Sequence, residues 1–147
     1  MLKVDKSGLK KLKAVFNSDL ALKVGFFEES VYEDGIQVAQ VAQWNEEGTS
    51  TNPMRPFMRV GFGSAISKGV YHSIFVDSIE SIIMGKSTFA KEYQKLGPMV
   101  VADMQEEIEE WNTPPNSPRT VERKGFNNPL IDTGLMHDSV KFRVEKE

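Results

Sequence analysis

The sequence lacks cysteine and any long apolar run. With no cysteine among its 147 residues, the chain cannot form a disulfide or a thiolate metal site, which agrees with a reducing compartment. A helix that crosses a membrane needs about 18 or more apolar residues in succession, and no stretch approaches that length. Residues 1–6 also lack the apolar core of a signal peptide. The sequence therefore predicts a protein made and kept in a cytosol, without membrane contact.

Positive charge and histidine are also scarce. The net charge of -3 and the pI of about 5.5 argue against general affinity for nucleic acid, which needs a clustered positive face. His72 and His137 do not form the Glu-x-x-His spacing of a helical metal site. The sequence does not predict that the fold brings a serine and an aspartate to either histidine in the arrangement of a hydrolase triad. We expect no metal, no cofactor and no catalytic residue.

The remaining composition is typical of one globular domain. Hydrophobic residues make up 39% and charged residues 27% of the chain, and a chain of this length buries roughly 68–70% of its unfolded surface. We expect a single domain over residues 1–147. Its predicted class is α+β, with a small, mostly antiparallel sheet packed against two or three longer helices and with long projecting loops at 28–35, 48–53 and 112–128.

Apolar periodicity predicts the helices and strands. Spacings of three and four residues predict helices, and alternation predicts strands. The predicted helices cover 7–17, 35–47, 64–84, 88–96 and 98–111, and the predicted strands cover 20–27 and 140–144. The pattern over 64–84 indicates the main core helix. Pro98 interrupts the next pattern, so a kink or a restarted helix is expected there.

Two segments of the first half are less regular. Asp34 and Gln37 have the form of a capping box for the helix over 35–47, although residues 36–40 also fit an edge strand. Gly61-Phe62-Gly63 lacks the third glycine and the preceding strand of a phosphate-binding loop, so we expect a hinge or turn there.

The last third begins with a proline-rich loop. Pro114, Pro115 and Pro118 lock φ and remove amide donors, so neither a helix nor a central strand is expected within 112–119. Thr120 is then placed to cap one short helical turn that ends at Gly125.

Asp132, Thr133 and Gly134 follow the apolar pair Leu130-Ile131, as in the catalytic loop of aspartic proteases. A homodimeric protease needs only one such aspartate in each chain, because the two carboxyls share a proton. That chemistry also needs a flap and a β-rich body, and only thirteen residues follow Gly134. We prefer a structural turn in which Asp132 or Thr133 caps a short helix.

An acidic stripe runs along the predicted helix 98–111. Its members, three and four residues apart, are Asp103, Glu106, Glu107 and Glu110. One interpretation is a solvated face. Acidic groups near a helix C-terminus oppose the macrodipole by about 0.3–1 kcal/mol each, however, unless a cation faces them. The other interpretation is therefore a contact between subunits with a basic element, either Lys6, Lys10 and Lys13 or Arg119, Arg123 and Lys124.

Arg55 and Arg59 flank the short apolar segment that contains Phe57 and Met58. An apolar plug ringed by arginines suits contact with an adjoining ring or with DNA that passes through a lumen. Alternatively, Phe57 and Met58 anchor the loop to the core while the arginines bond carbonyl groups. Both interpretations stay open.

Two blocks resemble the tailed-bacteriophage head–tail joining family, also called the neck, tail-completion or virion-morphogenesis family. The C-terminal block comprises Trp111, Thr120, Lys124-Gly125, Pro129-Leu130-Ile131-Asp132-Thr133-Gly134 and Ser139. The middle block comprises Val38-Ala39, Asn45-Glu46-Glu47-Gly48-Thr49 and Arg55-Pro56-Phe57-Met58-Arg59. The chain departs from the family at Pro98 and at Leu135-Met136-His137, where the family often has a basic residue.

The resemblance implies a non-enzymatic structural protein of the virion neck, found in the host cytoplasm during assembly. It implies a homo-oligomeric ring, hexameric or dodecameric, between the portal or adaptor and the tail-tube or tail-terminator protein, with possible non-specific contact to DNA in the lumen. The alternatives are the homodimeric aspartic protease and a small nucleic-acid-binding module that uses the N-terminal lysines.

Overall fold

The computed structural model describes Lys10, Lys13 and residues 18–146. Two strands and six helices lie within residues 18–146. In chain order they are β1 (Leu20–Gly25), α1 (Val38–Glu47), α2 (Phe57–Ser67), α3 (His72–Ile83), α4 (Phe89–Glu110), α5 (Pro118–Lys124), α6 (Leu135–Asp138) and β2 (Lys141–Lys146). A small antiparallel sheet combined with several helices is an α+β fold, so the predicted class is confirmed.

The sheet joins the two ends of the described chain. β1 and β2 pair antiparallel, with Leu22 opposite Val144 and Val24 opposite Phe142. These side chains share one face because alternate residues of a strand point the same way, and both strands contact α4. The predicted strand over 20–27 is confirmed but ends at Gly25, and the predicted strand over 140–144 lies at 141–146.

Helix α4 is the centre of the domain and is continuous through Pro98. Of the two outcomes predicted at this proline, the restarted helix is therefore wrong, and the kink stays a prediction. A proline inside a helix costs about 3 kcal/mol, whereas burial of one large apolar side chain stabilises by about 1.5–3 kcal/mol, and α4 buries several. The buried apolar side chains of α4 are Leu96, Val100, Met104 and Ile108.

Gly97 lets α4 approach the sheet closely. A Cβ atom at this position would lie 2.3 Å from Cδ2 of Phe142. Glycine is therefore required here by packing, not by helix termination.

Two clusters of buried side chains form the core, and α4 contributes to both. The larger consists of Val38, Ala42, Phe57, Met104, Ile108, Leu130, Met136 and Val140. The smaller consists of Tyr71, Leu96 and Val100. The last third of the chain thus supplies one side of the main core.

The helix predicted over 64–84 is two helices, α2 and α3, which are separated by a turn at 68–71. Gly69 provides that turn with φ of +67°, a conformation that glycine adopts without steric cost. The turn predicted at 61–63 is wrong, because these residues lie within α2. Gly61 packs against Glu107 instead, since a Cβ there would be 3.2 Å from Cγ of Glu107.

The prediction that this segment is the main core helix is also wrong, since no residue of α3 is fully buried. A helical period shows that an apolar face exists, and tertiary packing decides what covers it.

Helix α1 begins three residues later than predicted and has no capping box. Its N-cap is Gln37, without a side-chain cap hydrogen bond, while Asp34 Oδ1 accepts a hydrogen bond from the Ile36 amide at 3.1 Å. The edge-strand alternative is reduced to one bridge between Val31 and Gln37. Gly48 follows the helix with φ of +75°, as expected of a C-terminal glycine.

Helix α5 begins inside the segment that was expected to exclude helix. Pro118 occupies its first turn, where the missing amide is not needed. Ser117, not Thr120, is the N-cap, and its Oγ accepts a hydrogen bond from the Thr120 amide at 3.3 Å. The helix ends at Gly125, as predicted.

The apolar residues of the helix predicted over 7–17, which are Leu9, Leu12 and Phe16, lie outside the described residues, as does Lys6 of its basic face. Lys10 and Lys13 are helical and exposed.

Candidate functional site

Asp132, Thr133 and Gly134 form a turn that is held by contacts within the chain. Asp132 Oδ2 lies 3.3 Å from Nη2 of Arg123, and Thr133 Oγ1 accepts a hydrogen bond from the Leu135 amide at 3.3 Å. Gly134 has φ of +87°, the left-handed region that favours glycine. Gly134 is also the N-cap of α6, which has no side-chain cap hydrogen bond, so the predicted cap of this helix by Asp132 or Thr133 is wrong.

Two carboxylates of the acidic stripe contact other residues of the chain, and the other two are exposed. Asp103 accepts a hydrogen bond from the hydroxyl of Tyr71. Glu107 lies against Gly61, and burial raises the pKa of its carboxyl, as do Glu110 and Glu106, while Lys68 lowers it. Glu106 and Glu110 are exposed.

No ion pair within the described chain joins the stripe to either basic element. Glu106 and Glu110 are thus exposed, without an ion-pair partner among the residues that the structure describes.

The segment around Phe57 does not form an exposed plug. Phe57 has no exposed surface and its ring packs edge-on against Phe26, with centroids 6.1 Å apart. Arg55 is only 7% exposed. Its Nε donates to the carbonyl of Pro114 at 3.1 Å, and its Nη2 donates to the carbonyl of Pro115 at 3.4 Å. The structure thus assigns these two residues the anchoring role.

Arg59 and Met58, the other members of this segment, lie at the start of α2. Arg59 is exposed and Met58 is half-buried. Both backbone amides are bound by Glu46, whose carboxylate accepts from Met58 at 2.9 Å and from Arg59 at 3.1 Å. Glu46 is buried at 9% exposure and so caps α2 from α1.

Sequence reasoning missed the role of Glu46. A signal was present, because Pro56 immediately precedes the helix and has no side chain that could cap it. An acceptor had to come from elsewhere in the fold. The pattern did not show which element would supply it.

Two basic residues of α5, Arg123 and Lys124, meet Arg55 at one cavity. Lys124 Nζ donates to the carbonyl of Asn128 at 2.7 Å and to the carbonyl of Ile131. Burial lowers the pKa of Lys124, Asp132 opposes that shift, and Arg123 and Arg55 add to it. Arg119, the remaining basic residue of this helix, is exposed and does not line the cavity.

The cavity has a volume of about 560 Å³. It lies between the loop before α2 and the segment from Pro115 to Asp132, and most of its wall is polar. Besides the three cations, the wall contains Asn45, Thr51, Asn52, Pro53, Pro115, Asn116, Ser117, Thr120, Pro129 and Asp132. We name it the Arg55 cavity.

The largest unexpected feature is an apolar surface on α2 and α3. Its large exposed side chains are Ile66, Val70, Phe75, Val76, Ile79 and Met84, of which Ile66 is 70% exposed. An open groove of about 840 Å³ adjoins it between α2, β1 and α4. We name the six side chains the α2–α3 apolar surface. The spacing in the sequence revealed the apolar face but not its exposure.

Among residues 18–146, together with Lys10 and Lys13, no group of three or more histidine or acidic side chains is arranged to hold a metal ion. Within the same residues, no helix combines the length and the apolar character needed to cross a bilayer. Comparison with known proteins found no matching family, no similar characterised protein and no similar solved structure.

Proposed function

We propose that this protein is a structural component of the bacteriophage neck, which forms a homo-oligomeric ring of six or twelve copies at the portal–tail junction and joins head to tail. The proposal rests on the resemblance of two sequence blocks and on one observation above all, the α2–α3 apolar surface. Its partners would be the portal or adaptor on one side and the tail-tube or tail-terminator protein on the other. The protein would act in the virion, after assembly in the host cytoplasm.

The α2–α3 apolar surface supports association because Ile66 and Phe75 line the same groove, and clustered exposed apolar side chains mark interaction sites. The exposed side chains include Ile66, Val76 and Ile79 on two successive helices. A helix whose apolar face is open to water gains stability when a second protein covers it. In a ring, that second protein is the neighbouring copy.

The acidic stripe supplies a polar contact for the same assembly. Glu106 and Glu110 have no cation within 4.0 Å in the described chain. In our proposal they face a basic element of the next copy, either the N-terminal lysines or the α5 residues Arg119, Arg123 and Lys124. A head-to-tail interface of this kind joins two different patches and closes into a ring.

Light scattering during size-exclusion chromatography tests the apolar contact. We expect the wild type to form a closed oligomer, and we expect Ile66→Lys combined with Val76→Lys to be monomeric, since a lysine cannot be buried there without a partner. Val31→Lys is the matched control, because Val31 is an exposed apolar residue at 49% exposure outside this surface. Wild-type protein that remains monomeric at all concentrations and with its neck partners would contradict the proposal.

Charge reversal tests the acidic contact. Glu106→Lys combined with Glu110→Lys should impair assembly while the monomer keeps its helical circular dichroism, because both side chains are exposed. Glu33→Lys makes the same kind of charge change on an exposed loop and should assemble normally. Unchanged assembly of the double variant would dismiss this contact.

Virion morphology tests the role itself. Phage that lack this polypeptide should accumulate unjoined heads and tails, visible by electron microscopy, and the wild-type gene should restore joining. Normal joining in its absence would refute the assignment. The genomic neighbourhood offers a faster check, since portal genes are expected on one side and tail-tube genes on the other.

A further inference from the structure

A buried arginine without an acidic partner marks the Arg55 cavity. The Arg55 guanidinium donates to the carbonyls of Pro114 and Pro115 and to Asn45 Oδ1 at 3.5 Å. No carboxylate oxygen of the described residues lies within 4.0 Å of it. Arginine has five N–H donors, so donors remain after these bonds are made. Buried charges are normally paired with an opposite charge, and this one is not.

The cavity wall adds further positive charge. Lys124 and Arg123 line the same space as Arg55, and Asp132 is its one acidic residue. Asp132 is already bound to Arg123. The cavity therefore presents more cationic than anionic groups to whatever enters it.

The shape and lining of the cavity indicate the class of ligand. No aromatic side chain lines it, so a nucleic-acid base would find no ring to stack on. The most buried cation, Arg55, is 7% exposed, a depth that one extended side chain reaches but the phosphates of a rigid duplex do not. A planar carboxylate matches the guanidinium fork in geometry and charge.

From these contacts we propose that the Arg55 cavity binds a carboxylate side chain presented by another protein chain. The carboxylate inserts between Arg55 and Lys124, and the amides and hydroxyls of Asn116 and Thr120 border its path. The chain that presents it is a second copy, whose Glu106 and Glu110 are exposed and form no ion pair within the described residues. The inference rests on the charge contact of the proposed function, whereas the binding of an acidic peptide tests the cavity by itself.

Titration with a short acidic peptide tests the site. The probe is a blocked pentapeptide with three central glutamates, and its matched control carries three glutamines. We expect saturable shifts of the backbone amide NMR signals of Asn116, Thr120 and Lys124 with the glutamate peptide, and none with the glutamine peptide. Equal shifts with both peptides, or no shift with either, would overturn the proposal.

Variants distinguish specific binding in this cavity from a general electrostatic attraction of acidic peptides to the protein. Arg123→Gln removes a wall charge and frees Asp132, so we expect binding to weaken about tenfold or more. Lys141→Gln makes the same change of net charge at an exposed position on β2, outside the cavity, and should bind as the wild type does. Equal weakening by the two variants would refute a specific site. Lys124→Met offers a second loss of charge, with its folding checked by circular dichroism because Lys124 also binds two carbonyls.

Two further measurements identify the occupant. If the glutamate peptide dissociates the protein's own oligomer, the carboxylate comes from a second copy. Binding without that effect would overturn the assignment to a second copy. A DNA duplex of twelve base pairs that shifts the same signals while the peptide does not would overturn the assignment to a carboxylate.

Discussion

The loop region between α4 and β2 bonds its polar side chains within the chain. The α2–α3 pair, by contrast, exposes apolar side chains to water. In the loop region, Asn128 alone accepts from two amides, those of Leu130 and Ile131, and donates to the carbonyls of Ile108 and Glu109. The α2–α3 pair instead leaves Ile66, Phe75, Val76 and Ile79 exposed to water. The segment expected to project is bound to its own chain, and the helix expected in the core faces outward. Apolar contacts with other chains are therefore better sought on α2 and α3 than on this loop region.

The largest expected difference in stability is between truncation of the buried Phe57 and truncation of the exposed Phe75. Phe57→Ala should lower the free energy of unfolding by about 3–5 kcal/mol, because it empties a fully buried site. Phe75→Ala, at 47% exposure, should lower it by about 0.5 kcal/mol or less. Urea denaturation of both variants measures the difference. Equal losses would mean that Phe75 is covered in solution.

Substitution of two glycines tests the effect of packing on stability, because Gly97 is closely packed and Gly63 is open. Gly97→Ala places a methyl group against the Phe142 ring and should destabilise by about 1–3 kcal/mol. Gly63→Ala lies in α2 with nothing within 4 Å of the new Cβ, so it should stabilise by about 0.5–1 kcal/mol. Thermal unfolding should show shifts of opposite sign. A gain at Gly97 would contradict the packing of α4 on β2.

Loss of the Glu46 carboxylate, which caps α2 from α1, should have a smaller effect on stability. Glu46→Ala removes the acceptor for the Met58 and Arg59 amides and should cost about 0.5–2 kcal/mol. Glu47→Ala is the control, because the adjacent side chain is exposed and bonded only to Gln43 at 3.4 Å. Chemical denaturation compares them. A loss at Glu47 as large as that at Glu46 would exclude a specific capping role.

The smallest expected effect concerns the polar link between α3 and α4. Glu92 accepts from Lys95 at 2.8 Å and from Ser78 at 3.0 Å. The hydrogen bond from Lys95, with those from Ser87 and Ser78, lowers the pKa of Glu92 from 4.5 to about 2. A carboxyl whose folded pKa is lowered stabilises the fold above its unfolded pKa, and that contribution is lost as the pH falls through the folded value.

Denaturation at pH 5 and at pH 2.5 measures this contribution. The wild type should lose stability between these values, and Glu92→Gln should be less stable at pH 5 but should vary less with pH. An identical pH dependence in both proteins would show that Glu92 does not make this contribution.

Local chemistry predicted much of the fold. Alternation located both strands, and Gly48 and Gly125 located helix ends. Predictions failed where a distant contact decided the outcome. Pro98 stays helical because α4 is buried along its length.

The candidate sites were predicted less well than the fold. The positions of Arg55 and Phe57 in the sequence suggested a contact surface as readily as an anchor, and burial showed the anchor. The Arg55 cavity joins residues about sixty positions apart, a distance over which no local pattern gives information.

The amino-acid sequence by itself determined both strands and the helices α1 and α4 with their apolar faces, because backbone dihedral preferences and side-chain periodicity act over a few residues. Only the tertiary structure decided that residues 61–63 and Pro118 would be helical and that α4 would occupy the centre. It also decided that α3 would leave Phe75, Val76 and Ile79 exposed and that Arg55 would be buried with no carboxylate of the described residues beside it. These outcomes depend on which apolar faces are buried in the core, and the close packing of the whole chain determines that.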